Sequence, residues 1–234
     1  MSASTGTTSP SSGYTTPAFW ERLWRAGGIQ SLLCFLVAYF VYGQQPQIGA
    51  PAEALAAFYD GNRGRILIAA VFYGLAVLNL MWFAAAIRAT LADAGQDGWG
   101  SAATASSATL GGLFLLLTGV VTSLAYSSGT QTLASGLNSF VWAGFVLSSF
   151  PRAMLIMSSA FGLWRAREIS NALFAAGVAA VVLVLLGGTT WINGGIWAPD
   201  GVYSRFISPA LGLLWGIVVS GVLLTRSPAT RAAW

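Results

Sequence analysis

The sequence predicts an all-α polytopic membrane bundle with six transmembrane helices, the fourth kinked near Pro151. Three observations predict it. Of 234 residues, 56% are hydrophobic and 8% charged, with mean hydropathy +0.69; a soluble domain carries about a quarter charged residues. The apolar residues lie in blocks close to the roughly 20 a helix needs to cross a hydrocarbon core of about 30 Å. The arginines collect at the ends of those blocks, as they do where a membrane protein marks its cytoplasmic side.

Met1 to Pro17 is mostly Ser, Thr and Gly, with almost nothing apolar to bury, and reads as a disordered cytoplasmic tail. The first span is expected over 24–42, with Arg22 and Arg25 at its entry and Trp20 and Trp24 at headgroup level. In the polar stretch that follows, Pro51 opens a short surface helix to Asp60. Its Leu55, Phe58 and Tyr59 share a face suited to lying on the bilayer.

The second span is expected over 66–87, closed by Arg88, with Asn79 as its one strongly polar residue. A membrane-buried amide of this kind usually bonds a neighbouring helix. Residues 89–101 read as a loop. The third span is expected over 103–126, where Gly111, Gly112 and Gly119 permit close helix contact. The fourth is expected over 139–164. Its apolar character starts at Leu137, and one straight helix from there would be about 42 Å long. A single crossing bent at Pro151 is expected instead.

The fifth span is expected over 170–190. The loop 191–205 is rich in aromatics, including Trp191 and Trp197, and belongs at an interface, with Pro199-Asp200-Gly201 as its turn. The sixth span is expected over 206–224, its regular helix beginning at Ser208-Pro209 as a cap and first-turn proline. A short cytoplasmic tail, 227–234, follows.

Six crossings put both termini on one side. That side holds Arg22, Arg25, Arg88, Arg165, Arg167, Arg226 and Arg231, and the other holds only Arg63, Arg65 and Arg205. The imbalance assigns the termini to the cytoplasm. Scattered singly or in pairs, these arginines form no clustered basic face, so nucleic acid is not an expected partner.

The composition also excludes chemistries. Histidine and lysine are absent from the sequence and there is one cysteine, Cys34. Ser-His dyads, imidazole-bound metals, Schiff bases and thiolate clusters are therefore out, and neither metal nor cofactor is expected. The seven acids map to loops and span ends, so no carboxylate pair sits within the bundle. Membrane lipid is the expected partner, with a homo-oligomer or a larger membrane complex as further possibilities.

Two constellations stand out. Ser208, Gly212, Gly216 and Ser220 recur every four residues, one stripe of small side chains where another backbone can approach. The expectation is packing within the bundle, with a dimer seam as the alternative. Arg152 is the one charge well inside an apolar block. It reads as an anchor that snorkels to the outer headgroups, a partner for a carbonyl freed by Pro151, or an outward-facing anion or headgroup site. Arg63, Arg65, Glu53, Asp60, Asp200 and Arg205 fall on the same side and can close a polar cap over it. The candidate ligand residues are thus Arg152, Arg63, Arg65, Asp200, Arg205, Trp191 and Trp197.

Phe58-Tyr-Asp-Gly-Asn-Arg-Gly-Arg65, Arg88-Ala-Thr-Leu91, Pro151 and Pro199-Asp-Gly-Val-Tyr203 resemble segments of a broad set of six-span bacterial membrane proteins, common in actinobacteria. The resemblance implies that fold in a bacterial cytoplasmic membrane. The set has no agreed activity, so it assigns no site residue. The functions left open are a binder of a lipid-like or small amphipathic ligand or an accessory subunit, a small transporter or channel, and a membrane enzyme using Glu53, Asp60 and Asp200.

Overall fold

The computed structural model describes residues 17–127 and 131–225. The expected tails, up to residue 16 and from residue 227, lie outside them, as do Arg226 and Arg231 of the charge argument. Within the described residues the chain is all-α: α1 Pro17–Arg25, α2 Gly27–Tyr42, α3 Ala52–Gly61, α4 Arg63–Asp93, α5 Asp97–Ser127, α6 Gln131–Leu147, α7 Ser149–Arg165, α8 Asn171–Gly187 and α9 Ser208–Thr225. A π turn, Tyr203–Ile207, leads into α9.

Four helical segments are long and apolar enough to cross a membrane: Arg63–Asp93, Asp97–Tyr126, Leu133–Arg165 and Tyr203–Thr225. The pair Phe19–Arg25 and Gly27–Tyr42, bent by 57° at Ala26, makes a fifth if counted as one. α8 is as apolar, but its 17 residues reach about 26 Å.

The helices run further than hydropathy indicates. α4 continues past Arg88 because Ala89, Leu91 and Ala92 are good helix formers and Leu91 is fully buried. Only three residues then separate it from α5. Gly95 takes φ +70°, and the amides of Gly95 and Gln96 donate to the carbonyls of Ala92 and Leu91, a Schellman ending. Asp97 opens α5, where a carboxylate complements the helix dipole. α7 ends the same way, with Arg167 in the left-handed position at φ 57°.

The bend in the fourth apolar block falls at Ser148. Pro151 has no N–H to give the carbonyl of Leu147, and its ring crowds that turn, so the helix yields three residues earlier. The last regular helix begins at Ser208 as expected, but the capping role expected of that residue is corrected. Ser208 has helical angles, φ −61° and ψ −46°, and follows the π turn without interruption. It is a buried packing residue, not a cap.

The helices close a ring. α4 packs between α2 and α5, α7 between α5 and α8, and α9 joins α8 back to α2. α6 extends α7 beside α5, and α3 rests on α6. One end of the ring carries the segments 43–62 and 188–202, here called the roof. The expectation that α3 lies on the bilayer is overturned: Leu55 and Tyr59 are buried against the neighbouring helices. A helix of this size hides its apolar stripe on protein when a partner face is available. The opposite half of the ring is packed solid around Phe83, Ile87, Leu91, Ile156, Leu163 and Leu223.

Of the α5 glycines expected to allow close helix contact only Gly111 does, and others make it too. A Cβ at Gly28 would lie 2.7 Å from the Gly216 carbonyl, one at Gly27 2.8 Å from the Asn79 carbonyl, and one at Gly177 2.7 Å from the Trp215 ring. Gly111 touches Val77, whereas Gly112 and Gly119 face open space. Asn79 is corrected likewise: its amide donates to Leu75 of its own helix, at 2.9 Å. Overpacking costs about 1–3 kcal/mol. Gly28→Val is therefore expected to lower the melting temperature of the detergent-solubilised protein, while Gly112→Ala leaves it unchanged; thermal unfolding followed by circular dichroism checks the pair.

Candidate functional site

Between the solid half and the roof the ring is hollow. Two adjoining cavities share three rings, Phe35, Tyr73 and Phe114, as a septum. Phe35 sits 5.5 Å from Tyr73 and 6.1 Å from Phe114, edge on. The roof-side lobe holds about 840 Å³ of free space including its open mouth, the deeper lobe about 880 Å³. Both figures include open space at the mouths, and the walls are mostly apolar with few polar groups, as in ligand pockets.

The roof-side lobe is lined by Tyr39, Tyr42, Gln45, Val121, Trp142 and Arg205, among others. Its cover is the stretch after α2, held by Asn138 of α6. The Asn138 amide oxygen accepts from Gln45 Nε2 at 3.1 Å and from the Tyr59 hydroxyl at 2.9 Å. Its nitrogen donates to the carbonyls of Pro46 and Gln47, both at 3.2 Å. One buried side chain thus uses all four of its hydrogen-bonding positions on the roof. Trp142 Nε1 adds a bond to the Pro46 carbonyl at 2.9 Å. The Ile48 amide donates to Asp200 at 3.2 Å, which ties this stretch to the loop before α9.

The deeper lobe is lined by Gly28, Ser31, Leu80, Ile156, Gly212 and Trp215, among others, and by Arg152. The bend at Ser148 and the small residues of α9 position this arginine. It is 7% exposed: its head turns back toward the roof end, to acceptors four and seven residues earlier in the chain, but stays enclosed by the bundle and so does not snorkel. Nη2 donates to the Ser148 hydroxyl and, at 3.3 Å, to the Phe145 carbonyl; Nη1 donates to the Ser208 hydroxyl at 3.4 Å. Nε has no partner. Its methylene stem occupies the space left by Gly212, where a Cβ would lie 3.2 Å from Cδ.

The other members of the small-residue stripe also face the bundle interior. Ser208 meets Gly187, while Gly216 and Ser220 meet Gly28. Among the candidate ligand residues, Arg152 and Arg205 line the cavities, and the remaining five do not. The Arg205 guanidinium lies 5.8 Å from the Trp142 ring centre and 5.4 Å from that of Phe206. Arg63 stacks on Tyr126 at 4.0 Å, and Arg65 Nε donates to the Val41 carbonyl at 2.9 Å. Trp191 and Trp197 donate to the carbonyls of Gly188 and Thr189, which closes their loop on itself.

No ion pair joins Arg63, Arg65, Glu53, Asp200 and Arg205 among the described residues, so they form no charge-paired cap over Arg152. Glu53 and Asp60 are exposed, and neither they nor Asp200 line either lobe. The residues that sequence reasoning missed are Asn138 and the septum rings. A lone amide in an apolar run was the signal available for Asn138, the same signal that singled out Asn79.

Asn138→Leu is expected to cost about 1–3 kcal/mol, because it strands several buried partners, and to speed hydrogen exchange over residues 43–50. A pH effect follows from Tyr59. Burial pushes its phenol up from 10 to about 12, with the neighbouring Tyr42 pulling the other way. The folded form holds a proton that the unfolded chain releases above pH 10, so this contribution is intact below 10 and fades as pH rises toward 12. Thermal melts across that window are expected to show the decline, reduced in Tyr59→Phe. No protein-family model, curated protein or solved structure matches the chain.

Proposed function

We propose that this chain is a multi-pass protein of a bacterial cytoplasmic membrane that holds a lipid-like or small amphipathic ligand inside its helix ring. The reading takes six crossings, with α1 and α2 forming one bent span and α8 a short one, and both termini in the cytoplasm. The arginine distribution supports that sidedness. It also keeps the likeness to the six-span actinobacterial set, which rests on the sequence segments alone.

The observation that carries the binding reading is the pair of adjoining apolar lobes divided by aromatic rings beneath a hydrogen-bonded roof. A cavity with apolar walls and one cation at each level, Arg205 near the roof and Arg152 deeper, matches an amphiphile in its chemistry. The enzyme alternative loses its support, because its three carboxylates stand away from both lobes.

A second reading, a small transporter, draws on one feature. Two helical segments are interrupted, at Ala26 and at Ser148, and a third opens with a π turn before Ser208. Interrupted helices around a midplane site are a transporter signature. Flux of an amphiphile in reconstituted vesicles, abolished in Arg152→Ala, would favour it.

Native mass spectrometry in mild detergent tests the binding reading. A bound species of lipid mass is expected on the wild-type protein, and its occupancy is expected to fall in Ala70→Phe, which fills the roof-side lobe. Protein that is bare under every mild extraction overturns it.

A further inference from the structure

We propose that the Arg152 guanidinium receives the acidic head of a single-tailed lipophilic carboxylate whose apolar body fills the deeper lobe. The inference rests on the cavity reading and adds the charge and chemical class of the ligand.

An arginine keeps its charge at any accessible pH, so burying one demands compensation. The half-buried Arg25 has it: Nη2 pairs with Glu21 at 2.7 Å and Nη1 donates to the Leu223 carbonyl at 2.9 Å. The more deeply buried Arg152 has only neutral dipoles and the Phe145 ring, whose centre lies 5.5 Å from its guanidinium carbon. Its acceptors are two hydroxyls and one carbonyl, all neutral, and it forms no ion pair among the described residues. Those three bonds leave two of its five N–H donors, and one of the two is the unpartnered Nε–H. The bond to Ser208 is long at 3.4 Å and yields easily to a better acceptor. A planar carboxylate offers paired oxygens to such a fork.

The lobe also restricts what else the head can be. Its serine hydroxyls are already committed, which leaves the Tyr73 hydroxyl at the septum: Ser31 donates to the Ala76 carbonyl, and Ser159 donates to the Leu155 carbonyl while accepting from Trp215 Nε1. Few donors remain for a second anionic group or for a sugar or glycerol head. The fit is a small monoanion on an apolar body, oriented with its charge at the bend of the α6–α7 pair and its tail among Leu80, Ile156 and the septum rings.

The test uses the full chain in discs of phosphatidylcholine at mildly alkaline pH. The probes are cis-parinaric acid, a fluorescent long-chain carboxylate, and its methyl ester. The acid is expected to bind at least about tenfold more tightly than the ester, the scale of a charge-assisted hydrogen bond. Arg152→Gln is expected to abolish that preference while leaving ester binding in place, and Arg152→Lys to keep part of it.

Equal binding of acid and ester by the wild-type protein overturns the inference without any variant, and leaves the cavity reading standing. Failure of both probes to bind overturns the cavity reading itself. A preference that vanishes when phosphatidylglycerol is added to the discs would assign the guanidinium to a lipid phosphate, which also overturns the carboxylate.

Discussion

A guanidinium enclosed by apolar side chains cannot shed its proton. It must be solvated by dipoles of the protein itself or matched by an anion. Much of the geometry in the hollow half of the ring follows from that constraint at Arg152. The bend at Ser148 places a hydroxyl and the Phe145 carbonyl where the charge needs acceptors. The absence of a side chain at Gly212 makes room for the stem, and Ser208 supplies a third acceptor from across the ring. A larger residue at either α9 position would expel the arginine or open the contact between α7 and α9. The small-residue stripe therefore serves two purposes at once. Its far end brings α2 and α9 to backbone contact, and its near end accommodates a charge.

The roof answers a different requirement. A stretch of irregular chain over a cavity leaves its amides and carbonyls short of partners. Asn138 satisfies the chain after α2 from below, while Trp142 and Asp200 secure it from the side. The second loop closes largely on itself through Trp191, Trp197 and Tyr203, whose hydroxyl donates to the Leu183 carbonyl at 2.8 Å. Joined by the contact between Ile48 and Asp200, the two loops make one cover whose first half hangs on α6 and whose second half largely holds itself.

Hydropathy located the apolar helices, because each is marked by its own composition. It placed their ends badly: Ala89 to Asp93 look like a linker until Leu91 is seen to be buried. Properties that depend on a neighbour were not legible. Asn79 and Asn138 carry the same local signal, yet one bonds its own helix and the other organises the roof. Gly112 and Gly28 are equally small, and only the second meets a facing backbone. α3 has one apolar face in either setting, and whether lipid or protein covers it depends on where α6 lies. Arg152 was visible as an anomaly, but its direction depends on a bend and on a glycine two elements away.

The glycine contacts divide the ring mechanically. Along α9, backbone and short side chains already touch α2 and α8, so this seam cannot be compressed and gains nothing by parting slightly. On α5 the positions at Gly112 and Gly119 bear against nothing. Those two positions look outward from the ring, so a side chain added there leaves the interior untouched, while the α2–α9 seam acts as a fixed spine where facing backbones admit none.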